Sequence, residues 1–549
     1  MSRNILFGIV LGFALSALPM AAQVSVLTYH NDNARSGQNL NETAFTPASM
    51  KNFGKLATIA VDDWIVAQPL YVPNLSIGGG THNVVFVATL NNTVYALDAD
   101  TPSTTYWQQN YGTPTSYNGL CLDSSYQKAV HEGAGIVSTP VIDPKLGTIF
   151  FVTKTGNNST TTLPAITFYA VNIQTGATIA SSPVDPGASD YNPYIQMSRP
   201  ALAEDPSGAF VYVALGSTGC KGLDWEHGYV LAYSTTTGQQ VASFATTVGT
   251  RNNGGIWQGG GGLAVDVSGD IYFATADGYY DGVTNFGDSF VQLGSATTGL
   301  SLLDWFTPFN QNILFTEDLD LSSTGPVLLP PQNSATPNLM IGTGKTEEVY
   351  VVNRDIGSMG RFNTTSNKVV QDIPRPSYLS GCLDANLGGS QGNTCRSGPG
   401  VYFINDSKND GFVYFSDDAS SSPASTNFSC DVVQYKLSGG ALSNNPTARA
   451  TFGSNCTVGS PSISANGTAN ALIWLVTSKG SATGLHALNA SNLKSVYNSQ
   501  GNASRDSLGL TPRFVTPTVA NGKVYVGGKT MTGGDLVVYG ILSGSAESK

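Results

Sequence analysis

The stretch from Arg199 to Phe244 reads RPALAEDPSGAFVYVALGSTGCKGLDWEHGYVLAYSTTTGQQVASF, and it decides how the rest of the chain is interpreted. It contains four short apolar runs separated by turns. Runs rich in β-branched and aromatic residues, bounded by Pro and Gly, predict antiparallel strands. Four such strands form one up-and-down sheet, the size of a propeller blade. The runs are Pro200–Ala203, Phe210–Ala214, Tyr229–Tyr233 and Gln240–Phe244.

The same unit recurs along the chain, with starts 56 to 73 residues apart. A repeat of this length predicts stacked units that share a core. The third strand recurs most clearly, as in Val94–Asp98, Phe168–Asn172 and Val349–Asn353. Eight starts predict an all-β fold, an eight-bladed propeller of four-stranded antiparallel blades. The units begin at Pro69, Pro140, Pro200, Leu263, Pro326, Pro399, Pro461 and Pro517.

The two ends of the repeat region predict how the ring closes. The last unit, 516–542, has only three strand-like runs, and the apolar segment Phe53–Val61 stands alone before the first unit. We therefore expect Phe53–Val61 to pair with Leu536–Gly540 as the fourth strand of the last blade. This pairing would remove both free sheet edges at the seam, which otherwise invite aggregation.

The segments outside the repeats predict an exported protein. Residues 1–22 resemble a secretory signal, with Arg3 as the positive end, Ile5–Leu18 as the apolar core and a small-residue cleavage site at Ala21–Ala22. The predicted organisation is a signal peptide at 1–22, an irregular segment at 23–52, the propeller at 53–542 and a polar tail at 543–549. No membrane span is expected, because the apolar run is short for one. The expected location is the periplasm or the extracellular space.

Charge limits the classes of partner. The formal net charge is −11 and only 11% of the residues are charged. An acidic chain without a basic patch is poorly suited to bind nucleic acid or an anionic membrane. We expect a monomer whose partners are a protein or glycan ligand, or a small alcohol or sugar substrate. A protein or glycan would bind on the loop face, which we define as the face where the loops between blades and the loops between the second and third strands open.

The six cysteines predict disulfides, because an even number in an exported chain favours pairing. Each falls in a loop of the repeat. The predicted pairs are Cys382–Cys395, Cys430–Cys456 and Cys121–Cys220. The long-range third pair depends on elimination, since connectivity cannot be read from a sequence.

The segment from Asp277 to Asp288 contains three carboxylates, those of Asp277, Asp281 and Asp288. Such oxygen ligands suit Ca²⁺. The same residues also fit an ordinary turn rich in Asp and Gly, and the spacing by itself favours the turn because it does not match a complete Ca²⁺ loop. Both interpretations remain open at this stage.

The repeat also resembles a known family. The third-strand pattern Tyr95–Asp98, the turn Thr237–Gly238 and the segment from Lys345 to Arg354 are similar to those of the PQQ-repeat β-propellers of the quinoprotein alcohol dehydrogenase superfamily. The closing segment Phe53–Val61 resembles their closing strand as well. The resemblance covers the whole mature chain and implies the eight-bladed propeller.

The resemblance also implies a site for PQQ and calcium. Trp257 is similar to the tryptophan on which the quinone ring lies, and Lys345 to the cation that contacts a quinone carbonyl. Asp277 stands where the family has an asparagine that binds calcium, and Asp320 stands near the position of the family's catalytic aspartate base. In such a site the base removes the alcohol proton while hydride passes to the quinone.

The sequence departs from that family at other positions, so two functions stay open. Cys121 stands alone where the family has adjacent cysteines, and Asp224 and Glu226 are only neighbours of the position of its glutamate ligand. These departures favour an exported propeller that acts as a binding module on its loop face. The alternative is a PQQ- and calcium-dependent dehydrogenase of alcohols or sugars, since fold by itself does not determine function.

Overall fold

Antiparallel sheets arranged in sequence order make up nearly all of the regular structure. The structure is a computed structural model that describes residues 23–116, 133–156, 163–217, 227–249, 252–374, 396–403, 409–417, 429–454, 456–478 and 483–542. The predicted signal peptide and polar tail lie outside these residues. Within them the strands form eight blades, so the predicted eight-bladed propeller of four-stranded antiparallel sheets is confirmed.

The first four blades follow one another along the chain without crossing. Blade 1 contains Leu70–Ile77, Gly80–Ala88, Thr93–Asp98 and Thr105–Asn110. Blade 2 contains Val141–Asp143, Thr148–Thr155, Ala165–Asn172 and Thr178–Pro183. Blade 3 contains Ala203–Glu204, Phe210–Ser217, Tyr229–Ser234 and Gln240–Ala245, with the short strand Gln196–Met197 added. Blade 4 contains Ala264–Val265, Ile271–Ala274, Phe290–Leu293 and Leu302–Phe306.

The last four blades complete the ring. Blade 5 contains Val327–Leu328, Leu339–Thr343, Val349–Asn353 and Gln371–Ile373. Blade 6 contains Arg396–Phe403, Gly411–Asp417, Ser429–Ser438 and Ala448–Ser454, with the short strand Ala441–Leu442 added. Blade 7 contains Ser462–Asn466, Ala469–Ser478, Gly484–Asn489 and Ser495–Asn498, with the short strands Gln38–Asn39 and Thr457–Val458 added. Blade 8 contains Thr518–Ala520, Lys523–Gly527, Gly534–Ile541 and Phe53–Val61.

Short elements lie between the strands. A two-stranded ribbon joins Thr115–Ser116 to Gly133–Ala134. Within the described ranges, the α-helices are Gln311–Thr316 and Ala503–Asp506, and the 3-10 helices are Ser49–Asn52, Gln258–Gly260, Ala296–Thr298, Leu321–Ser323 and Ser499–Asn502. No helix among the described residues is both long enough and apolar enough to cross a bilayer.

The seam closes as the sequence predicts. Phe53–Val61 pairs antiparallel with Gly534–Ile541, and the register places Gly54 opposite Gly540 and Ile59 opposite Leu536. Side chains of this outer strand alternate between exposed and partly buried, as expected for a sheet with one face in water. The first strand of the repeat region therefore completes the last blade as its outermost strand.

The hydrophobic core lies between neighbouring blades. In blade 1 the inner strand Thr93–Asp98 is buried on both faces, whereas the outer strand Thr105–Asn110 is mostly exposed. One apolar cluster spans blades 8, 1 and 2, and further clusters join each later pair of neighbours around to blades 7 and 8. Each blade thus buries its faces against the next one, as stacked repeats require.

The segment before the seam is a strap across one face of the ring, defined here as residues 24–42. It is less irregular than expected, because Gln38–Asn39 forms a parallel strand against Ile463–Ser464 of blade 7. Other residues of the strap bond to blades 1 to 5 and to blade 8. These bonds join Val26 to Tyr71, Leu27 to Ile142, Asn33 to Glu204 and Val265, Ala34 to Leu328, and Asn39 to Val519.

Arg35 anchors the strap. Its side chain is 2% exposed, and its guanidinium donates to the carbonyls of Leu263 at 2.8 Å, Tyr29 at 2.9 Å and Leu202 at 3.0 Å. Burial lowers the pKa of Arg35 to about 10 despite the nearby charge of Asp32, so the group stays charged at neutral pH. One cation therefore supplies the donors for carbonyls of the strap and of the starts of blades 3 and 4.

Cys430 and Cys456 form a disulfide in blade 6, with their Cα atoms 5.8 Å apart. This is the pairing that the sequence predicts for these two residues. The other predicted disulfide residues, Cys121, Cys220, Cys382 and Cys395, lie outside the described residues, so their pairing stays a prediction.

The strap gives a stability prediction. Replacing Arg35 by Met keeps most of the side-chain volume but leaves buried carbonyls without donors, at a cost of about 1–3 kcal/mol each. We expect Arg35→Met to lower the melting temperature by several degrees, as measured by circular dichroism. The exposed Lys51→Met serves as the control and should change the melt little. Equal melting of the two variants would show that the strap does not depend on Arg35.

Candidate functional site

Three carboxylates and one ammonium group meet where loops of blades 4 and 5 adjoin. Asp277 follows the second strand of blade 4, whereas Asp318 and Asp320 precede the first strand of blade 5 and Lys345 follows its second strand. One oxygen from each of the three carboxylates lies within 4.8 Å of the other two. We call Asp277, Asp318 and Asp320 the acidic cluster.

Lys345 bridges two members of the acidic cluster. Its Nζ lies 2.6 Å from Asp318 Oδ1 and 2.6 Å from Asp320 Oδ2, and it also donates to the Asp318 carbonyl at 3.0 Å. Burial by itself would lower the pKa of Lys345, but the charges of Asp320 and Asp318 outweigh it and the pKa rises. Lys345 is therefore a permanent cation.

Asp277 and Asp320 share a proton. The Asp277 backbone N–H donates to Asp320 Oδ1 at 3.0 Å, and the two carboxyl groups are also hydrogen-bonded. Burial and then the charge of Asp320 raise the pKa of Asp277 to about 9. Burial acts the same way on Asp320, but Lys345 outweighs it and holds the pKa of Asp320 below its usual value. At neutral pH Asp277 is therefore the acid and Asp320 the carboxylate.

Asp288 adds a fourth carboxyl group behind the cluster. It is fully buried, its Oδ1 accepts from the Leu321 backbone at 3.3 Å, and its Oδ2 has no hydrogen-bond partner among the described residues. Burial, followed by the charges of Asp277 and Asp320, raises the pKa of Asp288 well above its usual value. The site thus contains more carboxyl groups than the single Lys345 can neutralise.

The backbone explains why Asp320 and Lys345, from two loops of blade 5, come so close. The Lys345 N–H donates to the Asp320 carbonyl at 3.0 Å. A Cβ on the preceding Gly344 would lie 2.8 Å from that carbonyl oxygen and 2.8 Å from the Leu321 Cα. Only glycine permits this approach without displacing backbone.

The Trp257 ring packs in an apolar setting of its own. It is half-buried and lies over Gly216, where an added Cβ would come within 2.9 Å of the ring. It packs with Trp64 and Val66 against a small apolar cluster of Leu90, Ala134, Val137 and Met197. The structure therefore brings Asp277, Asp320 and Lys345 together, whereas the contacts of Trp257 are with other residues.

The carboxylate of Asp281 serves its own turn. It accepts from the backbone N–H groups of Val283, Thr284 and Asn285 at 2.8 to 2.9 Å. These bonds and one from the Asn285 side chain outweigh burial, so the pKa of Asp281 lies below its usual value. Of the three carboxylates in the Asp277–Asp288 segment, Asp281 therefore follows the turn interpretation, whereas Asp277 and Asp288 lie at the acidic cluster.

Sequence reasoning missed two contributors. Asp318 lies two residues before Asp320, and that spacing was the available signal. Asn253 donates from Nδ2 to Asp277 Oδ2 at 3.2 Å, and nothing in the sequence distinguishes it from other loop asparagines.

Comparison with known proteins supports the fold. No protein-family model matches the sequence, and no curated protein matches it. Among solved structures, a quinohemoprotein alcohol dehydrogenase from Comamonas testosteroni is similar with a TM-score of 0.63 and 12% identity, over 96% of this chain and 82% of that one.

Two further structures agree. A europium-containing methanol dehydrogenase is similar with a TM-score of 0.60 and 14% identity, over 94% of this chain and 98% of that one. A quinohemoprotein alcohol dehydrogenase from Pseudomonas putida HK5 has a TM-score of 0.60 and 12% identity, over 96% and 82%. At this identity the likeness establishes the fold alone: the chain is an eight-bladed β-propeller whose architecture is similar to that of these dehydrogenases.

The shared proton gives a pH prediction. The pKa of Asp277 rises from 3.8 to about 9 on folding. Between these pH values the folded state keeps a proton that the unfolded state has lost. The free energy of unfolding therefore falls as the pH rises through this range. Asp277→Asn removes this titration and keeps the side-chain volume. With a chelator present, we expect the melting temperature of the variant relative to wild type to rise by a few degrees from pH 5 to pH 8. A constant difference across that range would contradict the shared proton.

Proposed function

We propose that this protein binds a hard multivalent cation, Ca²⁺ or a trivalent lanthanide, at the acidic cluster, and that the loaded loop face binds an oxygen-rich ligand such as a glycan. The observation that carries the proposal is the excess of carboxyl groups around Lys345. Hard cations prefer carboxylate oxygens. Buried Asp288, which the charges of Asp277 and Asp320 reach, also keeps an oxygen, Oδ2, that no described residue bonds.

The residues fit such a cation. Asp318 and Asp320 can each offer one carboxylate oxygen, and Asp277 offers another once it loses its proton. The Asp318 side chain is 40% exposed, which supports access from the loop face. A bound cation would act as a Lewis acid toward a ligand oxygen.

A second candidate is a quinone-dependent dehydrogenase, and the position of Asp320 favours it. Lys345 keeps Asp320 ionised, as a general base for an alcohol proton must be. Trp257 supplies a half-buried aromatic surface, and the chain shares its fold with proteins named as alcohol and methanol dehydrogenases. In that function Trp257 and Lys345 would hold PQQ, which accepts hydride when bound.

Cation binding is directly measurable. We expect Ca²⁺ to raise the melting temperature of the wild type and Tb³⁺ to bind with increased luminescence, because a ligand that binds only the folded state stabilises it. Asp277→Asn and Asp318→Asn should each weaken Tb³⁺ binding by about tenfold or more, since each removes a charged ligand. Below the pKa of Asp277 the proton competes, so affinity should fall by up to about tenfold for each pH unit.

Asp281→Asn is the matched control for these variants. It removes one negative charge from the same loop, at a carboxylate that is bound to its own turn. We expect it to bind Tb³⁺ like the wild type. A wild type that ignores millimolar Ca²⁺ and Tb³⁺ would refute the proposed site.

The dehydrogenase candidate has a separate test. Purified protein is incubated with PQQ and Ca²⁺, and dye reduction is followed with primary alcohols and aldoses as substrates. If this candidate is correct, the quinone absorbance shifts on binding and Asp320→Asn reduces the rate by at least about a hundredfold. Cation binding without a quinone shift or dye reduction would leave only the binding function.

A further inference from the structure

A buried histidine outside the acidic cluster is connected to it by consecutive hydrogen bonds. His227 has 0% exposure and lies just before the third strand of blade 3. Its Nδ1 lies 2.7 Å from Thr247 Oγ1, and the Thr247 hydroxyl donates to the carbonyl of Asn253. The Asn253 side chain in turn donates to Asp277 Oδ2 at 3.2 Å. The connection crosses from blade 3 to blade 4.

The direction of these bonds defines the tautomer. The Thr247 hydroxyl has one hydrogen, and that hydrogen goes to the Asn253 carbonyl. Nδ1 of His227 must therefore carry a hydrogen and donate to Thr247 Oγ1. Each group then donates to the next one toward Asp277.

The opposite side of the ring faces a carboxylate. His227 Nε2 lies 3.2 Å from Asp190 Oδ2, a contact that is an ion pair only when the ring is protonated and that is not aligned as a hydrogen bond. The Tyr229 hydroxyl donates to the other oxygen of Asp190 at 3.0 Å, which holds that carboxylate in place. Burial lowers the pKa of His227, although the Asp190 charge and a hydrogen bond to the Gly249 backbone oppose this.

The turn that carries Asn253 has other bonds on either side, from the Tyr279 N–H to the Asn252 carbonyl and from the Thr246 hydroxyl to the Gly254 carbonyl. The Thr247 hydroxyl bonds the carbonyl of Asn253 itself. Asn253 adopts a left-handed conformation with φ of 44°, and the next residue, Gly254, has φ of 90°. The Gly254 N–H donates to the Asp277 carbonyl at 2.9 Å. A displacement of this turn would therefore move both the side-chain and the backbone contacts of Asp277.

We propose that His227 is a positioning residue for the cation site, acting through Thr247 and Asn253 to fix the orientation of the Asp277 carboxyl group. The inference rests on the proposed cation-binding function. It adds a residue that lies outside the acidic cluster and acts on it through two intervening residues. It assigns the Nδ1 hydrogen of His227 as the group that matters. A polar residue without a donor at that position would not serve.

A pair of substitutions separates this role from general packing. In His227→Asn the amide Nδ2 occupies the place of Nδ1 and keeps the donor, whereas in His227→Gln the amide lies nearer the place of Nε2 and the donor to Thr247 is lost. Both variants keep a polar amide and leave part of the ring volume empty. A second pair is Thr247→Ser, which keeps the hydroxyl, and Thr247→Val, which keeps the shape.

The measurement is Tb³⁺ affinity of the full chain at pH 7.5, by luminescence titration, beside the melting temperature without cation. We expect His227→Asn and Thr247→Ser to bind within about twofold of the wild type, and His227→Gln and Thr247→Val to bind at least about fivefold more weakly. If both members of a pair bind Tb³⁺ equally while the wild type binds it, the positioning role is wrong and the cation site stands. A wild type that binds no Tb³⁺ overturns both.

Discussion

Closure of the ring is the constraint on which the rest of the structure depends. Phe53–Val61 and Gly534–Ile541 come from opposite ends of the repeat region and pair along their whole length in one blade. Every blade buries its faces only against its two neighbours, so an open ring would expose two blade faces and a sheet edge. The strap adds a second closure, because buried Arg35 bonds carbonyls that belong to separate blades.

The same closure produces the electrostatics of the site. Loops from blades 4 and 5 place Asp277, Asp318 and Asp320 around one lysine, away from most of the solvent. In a partly buried setting, neighbouring carboxyl groups cannot all be ionised, because their negative charges repel one another. Asp277 therefore keeps its proton, and the ammonium group of Lys345 balances part of the remaining negative charge. A cation could replace that proton, and this is the physical basis for the proposed function.

Much of the fold was accessible from the sequence because each blade carries its own signals. Short apolar runs, turn residues and the recurring third strand are local features, and they correctly predicted eight blades and the closing strand Phe53–Val61. Within the site, Asp277, Asp320 and Lys345 were found through a family resemblance. Asn253 and His227 were not, because a single loop asparagine or histidine carries no pattern that reveals what it bonds to.

The sequence by itself determined the architecture, since strand periodicity and repeat length are properties of neighbouring residues along the chain. Only the tertiary structure decided which loop residues share a site. It placed Asp318 and Asp320 together on Lys345, showed that Asp281 bonds its own turn, and packed Trp257 against an apolar cluster. The physical reason is that contacts between blades depend on how loops of different repeats meet on one face, and that geometry arises only when the ring has closed.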